Sequence, residues 1–161
     1  MHDPMHRLSM EPREVLRLLE SVSLLAELSV RERGVLAEFA EVTQCGRDVQ
    51  IVNVGQEVRW WYVLLQGRVD VSVRAPDGTL PIVRELAAGQ SIALDAVLSG
   101  TPSTSQITAI SDAVFVRWQI GELQGLLRAR SPVAVKLQVA LTAELGKELR
   151  AATSAVIRLV S

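Results

Sequence analysis

Apolar and polar positions change their period twice along this chain. From Pro12 to Glu20, Val15, Leu16, Leu18 and Leu19 gather on one side of a helical wheel, with Arg13, Glu14, Arg17 and Glu20 around them. Pro12 suits a first helical turn, where a missing amide costs nothing. The stretch SVSLLAEL breaks that period. Ser29-Val30-Arg31-Glu32 then has the spacing of a capping box, followed by Val30, Leu36, Phe39 and Ala40 on a core-facing side. From Val42 the period shortens to two. WWYVLLQGRVDVSVR alternates best, with Val69, Val71 and Val73 on one face and Arg68, Asp70, Ser72 and Arg74 on the other. Gln66-Gly67 splits it as a turn. APDGT is the strongest turn in the chain: Pro76 presets φ, Asp77 bonds the backbone and Gly78 accepts positive φ. Val49 to Val54, LPIVREL, SQITAI and AVFVRW supply further short strands. Pro81 has no amide to donate, so it belongs near a strand start or an edge. About seven or eight short strands between turns predict a sandwich, jelly roll or small barrel.

Helical spacing then returns. Ile120 to Arg130 is short and amphipathic through Leu123, Leu126 and Leu127, and Ser131-Pro132 makes an N-cap and first-turn pair. Beyond it, Leu137, Leu141, Leu145, Leu149, Ala152, Val156 and Leu159 step by threes and fours into one stripe. A helix that long, rising about 1.5 Å per residue, overhangs a small domain. The stripe therefore predicts a partner helix, most simply the same helix of a second copy, against the alternative of a helix packed back on its own barrel. The expected boundaries are a tail over 1–10, a helical segment over 11–41, the strands over 42–119 and helices over 120–161, all within one domain.

Composition narrows the function. The 161 residues suffice for one domain, and 48% hydrophobic with 22% charged residues fits a globular chain with a real core. A net charge of −1 with no basic stripe argues against direct nucleic-acid binding. No apolar run is long enough to span a bilayer, and MHDPMHRLSM carries no apolar signal region, so a cytoplasmic setting is expected. Cys45 is the single cysteine and reads as a small buried thiol. His2 and His6 lie near Asp3, but Pro4 between them argues against a preformed helical metal site. The folded part shows no carboxylate pair, no His beside a nucleophile and no Cys/His metal spacing; no enzyme, catalytic residue or metal is expected. In Trp60-Trp61-Tyr62, alternation puts Trp60 and Tyr62 on one face and Trp61 on the other. At least one ring belongs to the core, and the other reading is an exposed indole at a partner surface.

Several stretches resemble the cyclic-nucleotide-binding domain family. SLLAELSVRERGVLAEFAEVTQ is similar to its opening segment. VNVGQEVRWWYVLLQGRVDVSV is similar to its central strands, with Gly55 and Gly67 at matching turns. DGTLPIVRELAAGQSI is similar to the hairpin that leads into its ligand cassette. The resemblance covers about residues 14 to 155. It implies a mainly β fold: an eight-stranded antiparallel, jelly-roll-like β-roll with N-terminal helices and a long C-terminal helix. The family cassette runs Gly-Asp/Glu-x-Phe-Gly-Glu, then a short spacer, then Pro-Arg-Ser/Thr-Ala. There the Glu holds the ribose hydroxyl and the Arg holds the cyclic phosphate. Here Gly89 matches the first Gly, Ile92 stands for the Phe, Ala93 replaces the second Gly and Leu94 replaces the Glu. Pro102 matches the Pro, Ser103 stands where the Arg should be, Thr104 matches the hydroxyl residue and Ser105 replaces the Ala.

Those changes disfavour the usual ligand. A phosphate leaving water needs a cation or several N–H donors. Hydrogen bonds to charged groups contribute about 1.5–3 kcal/mol each, so losing both contacts costs about 3–6 kcal/mol, or roughly two to four decades of affinity. Asp95 offers a substitute Glu if a bulge shifts the register, and Arg84 a substitute cation from a neighbouring strand. The hydroxyls of Ser103, Thr104 and Ser105, with backbone amides, leave weak cyclic-nucleotide binding open. The resemblance thus implies a regulatory or scaffolding domain without a cofactor. It would not bind cAMP or cGMP in the usual way and would act as a homodimer or by docking a protein partner. The competing reading is a sensor of a cyclic nucleotide or cyclic dinucleotide through non-standard contacts. An unidentified apolar ligand also remains open.

Overall fold

The computed structural model describes residues 3–160, apart from the side chains at 152, 153, 155, 156, 159 and 160. Helix α1 spans Pro12–Leu19 and α2 spans Val30–Glu38, with a 3-10 turn over Ser23–Leu25 where the helical period breaks. The capping box forms: the Glu32 amide donates to Ser29 Oγ at 3.1 Å and the Ser29 amide to Glu32 Oε1 at 2.9 Å.

Nine strands follow the alternation: β1 His6–Leu8, β2 Glu41–Cys45, β3 Gln50–Val52, β4 Trp60–Gln66, β5 Val69–Val73, β6 Ile82–Leu86, β7 Ser91–Ile92, β8 Ser105–Ala109 and β9 Ala113–Gln119. They form two sheets, ordered β1-β2-β9-β4-β7 and β3-β8-β5-β6, with every pairing antiparallel. Helix α3, Leu94–Ser99, lies between β7 and β8; α4, Ile120–Arg128, and α5, Pro132–Val160, close the chain. This is the β-roll expected from the resemblance, with one strand more. The first sheet is sandwiched. Trp61, Val63, Val116 and Trp118 point into a core shared with the helices, while Tyr62, Leu64 and Phe115 point into the roll. Burial on both faces explains why β4 is an almost unbroken apolar run. Trp61 stacks on Trp118 with centroids 4.9 Å apart, and Trp118 Nε1 donates to the Leu36 carbonyl at 2.9 Å, which ties α2 to β9. Between β4 and β5, Gly67 is required at φ 98: a Cβ there would collide with the Asp112 carbonyl oxygen and lie 2.9 Å from Ala113 Cα.

The additional strand is β1, and it corrects the expectation of a flexible tail. His6, Arg7 and Leu8 pair with Gln44, Thr43 and Val42, and Met5 is buried in the roll. Pro4 argues against a helix that continues through it, and the residue before a proline is pushed toward extended backbone, which favours a segment that lies along a sheet edge. His2 lies outside the described residues.

Helix α5 corrects a second expectation. Ser131 caps it as predicted, its Oγ accepting from the Ala134 amide at 3.3 Å. Leu137 and Leu141, however, are fully buried beneath the protein's own helices, and Leu145 packs against the same core. Leu137 and Leu141 are therefore unavailable as a partner seam, and Leu145 is only partly exposed. The large apolar side chains of α5 that are exposed among the described residues are Val135, Val139, Leu149 and Ile157, at 59%, 66%, 67% and 57%. The side chains of Ala152 and Val156 lie outside those described. Periodicity shows which face of a helix is apolar, not which element covers it. Among the described residues no helix is long and apolar enough to cross a membrane.

Candidate functional site

The cassette runs from the end of β6 to the start of β8, and β4 fixes its beginning. The Gly89 amide donates to the Leu64 carbonyl at 2.7 Å, the Leu64 amide donates to the Gln90 carbonyl at 3.0 Å, and Ser91 and Ile92 pair with Val63 and Tyr62. Ile92 is buried inside the roll. Ala93 sits at φ 55, ψ 34, in the left-handed region. A non-glycine residue there costs roughly 1–2 kcal/mol. The turn it makes sends the next residue inward: Leu94 is fully buried in the core under the helices, beside Val97, Trp61 and Trp118. Leu94 is therefore an anchor, which corrects its expected place at a ligand. Asp95 is exposed in the first turn of α3. It is a helical residue, so a strand slip with a bulge is not how it could reach a ligand.

The second half of the cassette is bound into the protein. Pro102 and Thr104 are exposed and Ser105 is half-buried at the start of β8. Ser103, at the position of the family arginine, is buried. Its hydroxyl donates to the Ser105 carbonyl at 2.8 Å and accepts from the Ser105 amide at 3.1 Å. Its own amide donates to the Gln56 carbonyl at 2.9 Å and its carbonyl accepts from the Gly55 amide at 2.8 Å. Arg84, half-buried on β6, acts electrostatically on Glu148 of α5.

Glu148 is the site residue that sequence reading missed. Ser91 Oγ donates to its Oε1 at 3.2 Å. Burial is the largest influence on it and lifts its carboxyl from 4.5 to about 7. Arg84 and the Ser91 bond pull the value down, and Glu144 and Asp95 push it up. Between Lys147 and Leu149 a glutamate reads as a solvated helix position, and only the fold brings it to Ser91. The same is true of Arg117 on β9. Its guanidinium is 4% exposed, lies 2.8 Å from Asp3 Oδ2 and 3.6 Å from Glu41 Oε2, and sits 3.8 Å over the Trp60 ring centroid. The expected split of Trp60 and Tyr62 from Trp61 across β4 is observed. Burial, then the Asp112 charge, raises the Cys45 thiol, which keeps it protonated, as suits a packed thiol rather than a nucleophile. Among the described residues no group of three or more His, Cys, Asp or Glu is placed to hold a metal.

Two rolled antiparallel sheets, a glycine-led cassette and a long helix that meets it define a β-roll domain. Residues 44–130 match the family model of the cyclic nucleotide-binding domain, and this chain belongs to that family. Solved structures agree in fold. A cyclic nucleotide-binding domain from Methylobacillus flagellatus superposes with TM-score 0.82 at 19% identity, covering 98% of this chain and 88% of that one. The sensor domain of the transcriptional regulator DNR from Pseudomonas aeruginosa gives 0.67 at 19% identity, covering 86% and 93%. The regulatory subunit of a cAMP-independent protein kinase A from Trypanosoma brucei gives 0.65 at 22% identity, with 81% of this chain matched to 51% of the subunit. The present chain thus corresponds to about half of that subunit. No curated protein matches this chain.

Proposed function

We propose that this chain is a regulatory, non-catalytic domain whose cassette does not hold a cyclic nucleotide in the family's usual way, and that it works by pairing α5 with α5 of a second copy. The observation that carries the first part is Ser103. It occupies the position of the phosphate-binding arginine, is buried, and spends its hydroxyl on Ser105. A cyclic phosphate entering there would lose its hydration without gaining a cation. Fold relatives lend support. The Trypanosoma brucei regulatory subunit is described as cAMP-independent, and a variant of it, in which one of three changes turns a threonine into an arginine, is bound to cAMP in its A site. The related subunit from Trypanosoma cruzi is bound to guanosine, a nucleoside with no phosphate.

Pairing is supported by the outer face of α5. Val135, Val139, Thr142, Gly146 and Leu149 follow one another at steps of four, three, four and three, the repeat of a two-helix seam. Val135 and Val139 at its start are well exposed. Thr142 and Gly146 are small and would let two backbones approach. A second copy brings the same stripe and satisfies both at once.

Calorimetric titration with cAMP, cGMP, a cyclic dinucleotide and guanosine, together with light scattering, tests the reading. Expected are no sub-micromolar cyclic-nucleotide binding and a mass twice 17.6 kDa, halved by Val139→Glu. Sub-micromolar binding of any cyclic nucleotide overturns the first part, and a monomeric wild-type chain overturns the second.

A further inference from the structure

A side-chain hydrogen bond ties helix α5 to the cassette, and its acceptor is the Glu148 carboxyl, 3.2 Å from Ser91 Oγ on β7. The charged groups acting on Glu148 come from three elements: Arg84 from β6, Asp95 from α3, and Glu144 from α5 itself. Two further carboxylates and one guanidinium thus act through space on Glu148, at the point where Ser91 joins the helix to the cassette. One cation does not neutralise three anions, and a half-buried carboxylate also gives up part of its hydration. A single proton on Glu148 relieves both penalties. A neutral carboxyl still accepts from Ser91 and gains a donor of its own.

We propose that this junction is a proton-operated latch: protonated Glu148 clasps the second half of α5 to β7 and α3, and ionised Glu148 lets it go. The latch deepens the regulatory reading above, on which its use as a signal rests, by giving α5 an input that is not a nucleotide. The titration of Glu148 agrees with the geometry. Its carboxyl is lifted from 4.5 to about 7, burial being the largest cause. A group whose value is raised in the docked state favours docking fully below its free value. That contribution fades as pH rises from 4.5 to about 7 and does not change further above it. The ceiling is 7 − 4.5 = 2.5 decades, roughly 300-fold in the docking equilibrium. Glu148 is only half-buried, so solvent screening reduces the expectation to about tens of fold.

The test is carboxyl NMR of the whole chain combined with amide protection factors for residues 94–99 and 141–150, each corrected for intrinsic exchange. The wild type is expected to lose at least about tenfold of that protection between about pH 5 and about pH 7.5, with Glu148 titrating near neutrality. Glu148→Gln keeps the acceptor for Ser91 without a charge, and its protection is expected to stay high and flat across the range. The proposal is overturned if Glu148 titrates below about pH 5, or if the Gln variant follows the wild-type pH curve. Should the variant not fold, the wild-type titration decides alone. Nucleotide affinity and dimer mass are separate readouts, so failure of the regulatory reading and failure of the latch are told apart.

Discussion

Neutralising Asp3 by Asp3→Asn tests whether the N-terminal segment is clasped by the buried arginine. Arg117 is 4% exposed, and three groups compete for its guanidinium: Asp3 at 2.8 Å, Glu41 at 3.6 Å and the Tyr62 hydroxyl at 3.5 Å. Among the described residues its Nε has no hydrogen-bond partner, and Asp3 provides the close carboxylate. Removing one member of a fully buried pair costs about 3–5 kcal/mol. Asp3 itself is 46% exposed, and screening brings the expected loss to about 1–2 kcal/mol. In a domain of this size that lowers Tm by roughly 2–8 °C. Arg117→Met keeps the stem and removes the charge, at a cost of about 2–4 kcal/mol, because Glu41 is left beside an apolar side chain. In that background Asp3→Asn should cost almost nothing, which gives a coupling of about 1–2 kcal/mol. Urea unfolding followed by tryptophan fluorescence reads the cycle directly, since Trp60 lies under the guanidinium. A coupling below about 0.3 kcal/mol would refute the clasp. The segment would then be held by Met5 burial and strand pairing alone.

Two further outcomes follow from local geometry. Ala93→Gly removes left-handed strain but also a methyl packed against the roll, so stability should rise by up to about 1 kcal/mol; a loss beyond about 0.5 kcal/mol in denaturant unfolding would show that the methyl matters more. Glu32 is held at about 2, first by its bond to Lys136 Nζ at 2.8 Å and then by the Ser29 amide. Its value is lowered by folding, so the α2–α5 contact it supports is present above 4.5 and lost as pH falls toward about 2. Lys136→Met should move the Glu32 midpoint up toward 4.5 in carboxyl NMR, and an unmoved midpoint would assign the shift to the cap instead.

What could be read from the chain were features with a local cause. The Ser29 capping box, the Ser131 cap, the Gly67 turn and the split of Trp60 and Tyr62 from Trp61 each depend on residues a few positions apart, and all are observed. The alternation in β5 holds through Val71 and breaks where the pairing with β6 shifts register, leaving Ser72 buried and Val73 half-buried. Features whose cause lies far along the chain escaped notice. The strand β1 exists because Asp3 and Met5 find partners more than half the sequence away or on another sheet face. The inner face of α5 is claimed by the N-terminal helices, which its own period cannot reveal. The cassette lies between these cases. Its residue-by-residue match located Ala93 in place of the second Gly and Ser103 in place of the Arg. The burial of Leu94 depends on a backbone angle that an alanine does not announce.

The cassette is held by contacts to the rest of the protein at three points. Leu94 nails its first half to the core, Ser103 closes its second half on Ser105, and Ser91 meets α5 directly through Glu148. A ligand moves an equilibrium only by binding one state better than the other. On the latch proposed above, that difference for α5 comes from the contact with Glu148 and the charges around it. An added anion would feel the charges of Glu144, Glu148 and Asp95 against that of Arg84 alone. A proton or a cation would meet favourable charge at the same place. Coupling between cassette and helix is reciprocal, so whatever stabilises the Ser91–Glu148 bond must also tighten the cassette. On the same proposal, the charge that strengthens this contact is opposite in sign to that of a cyclic phosphate, and the carboxylates of α5 and α3 set it.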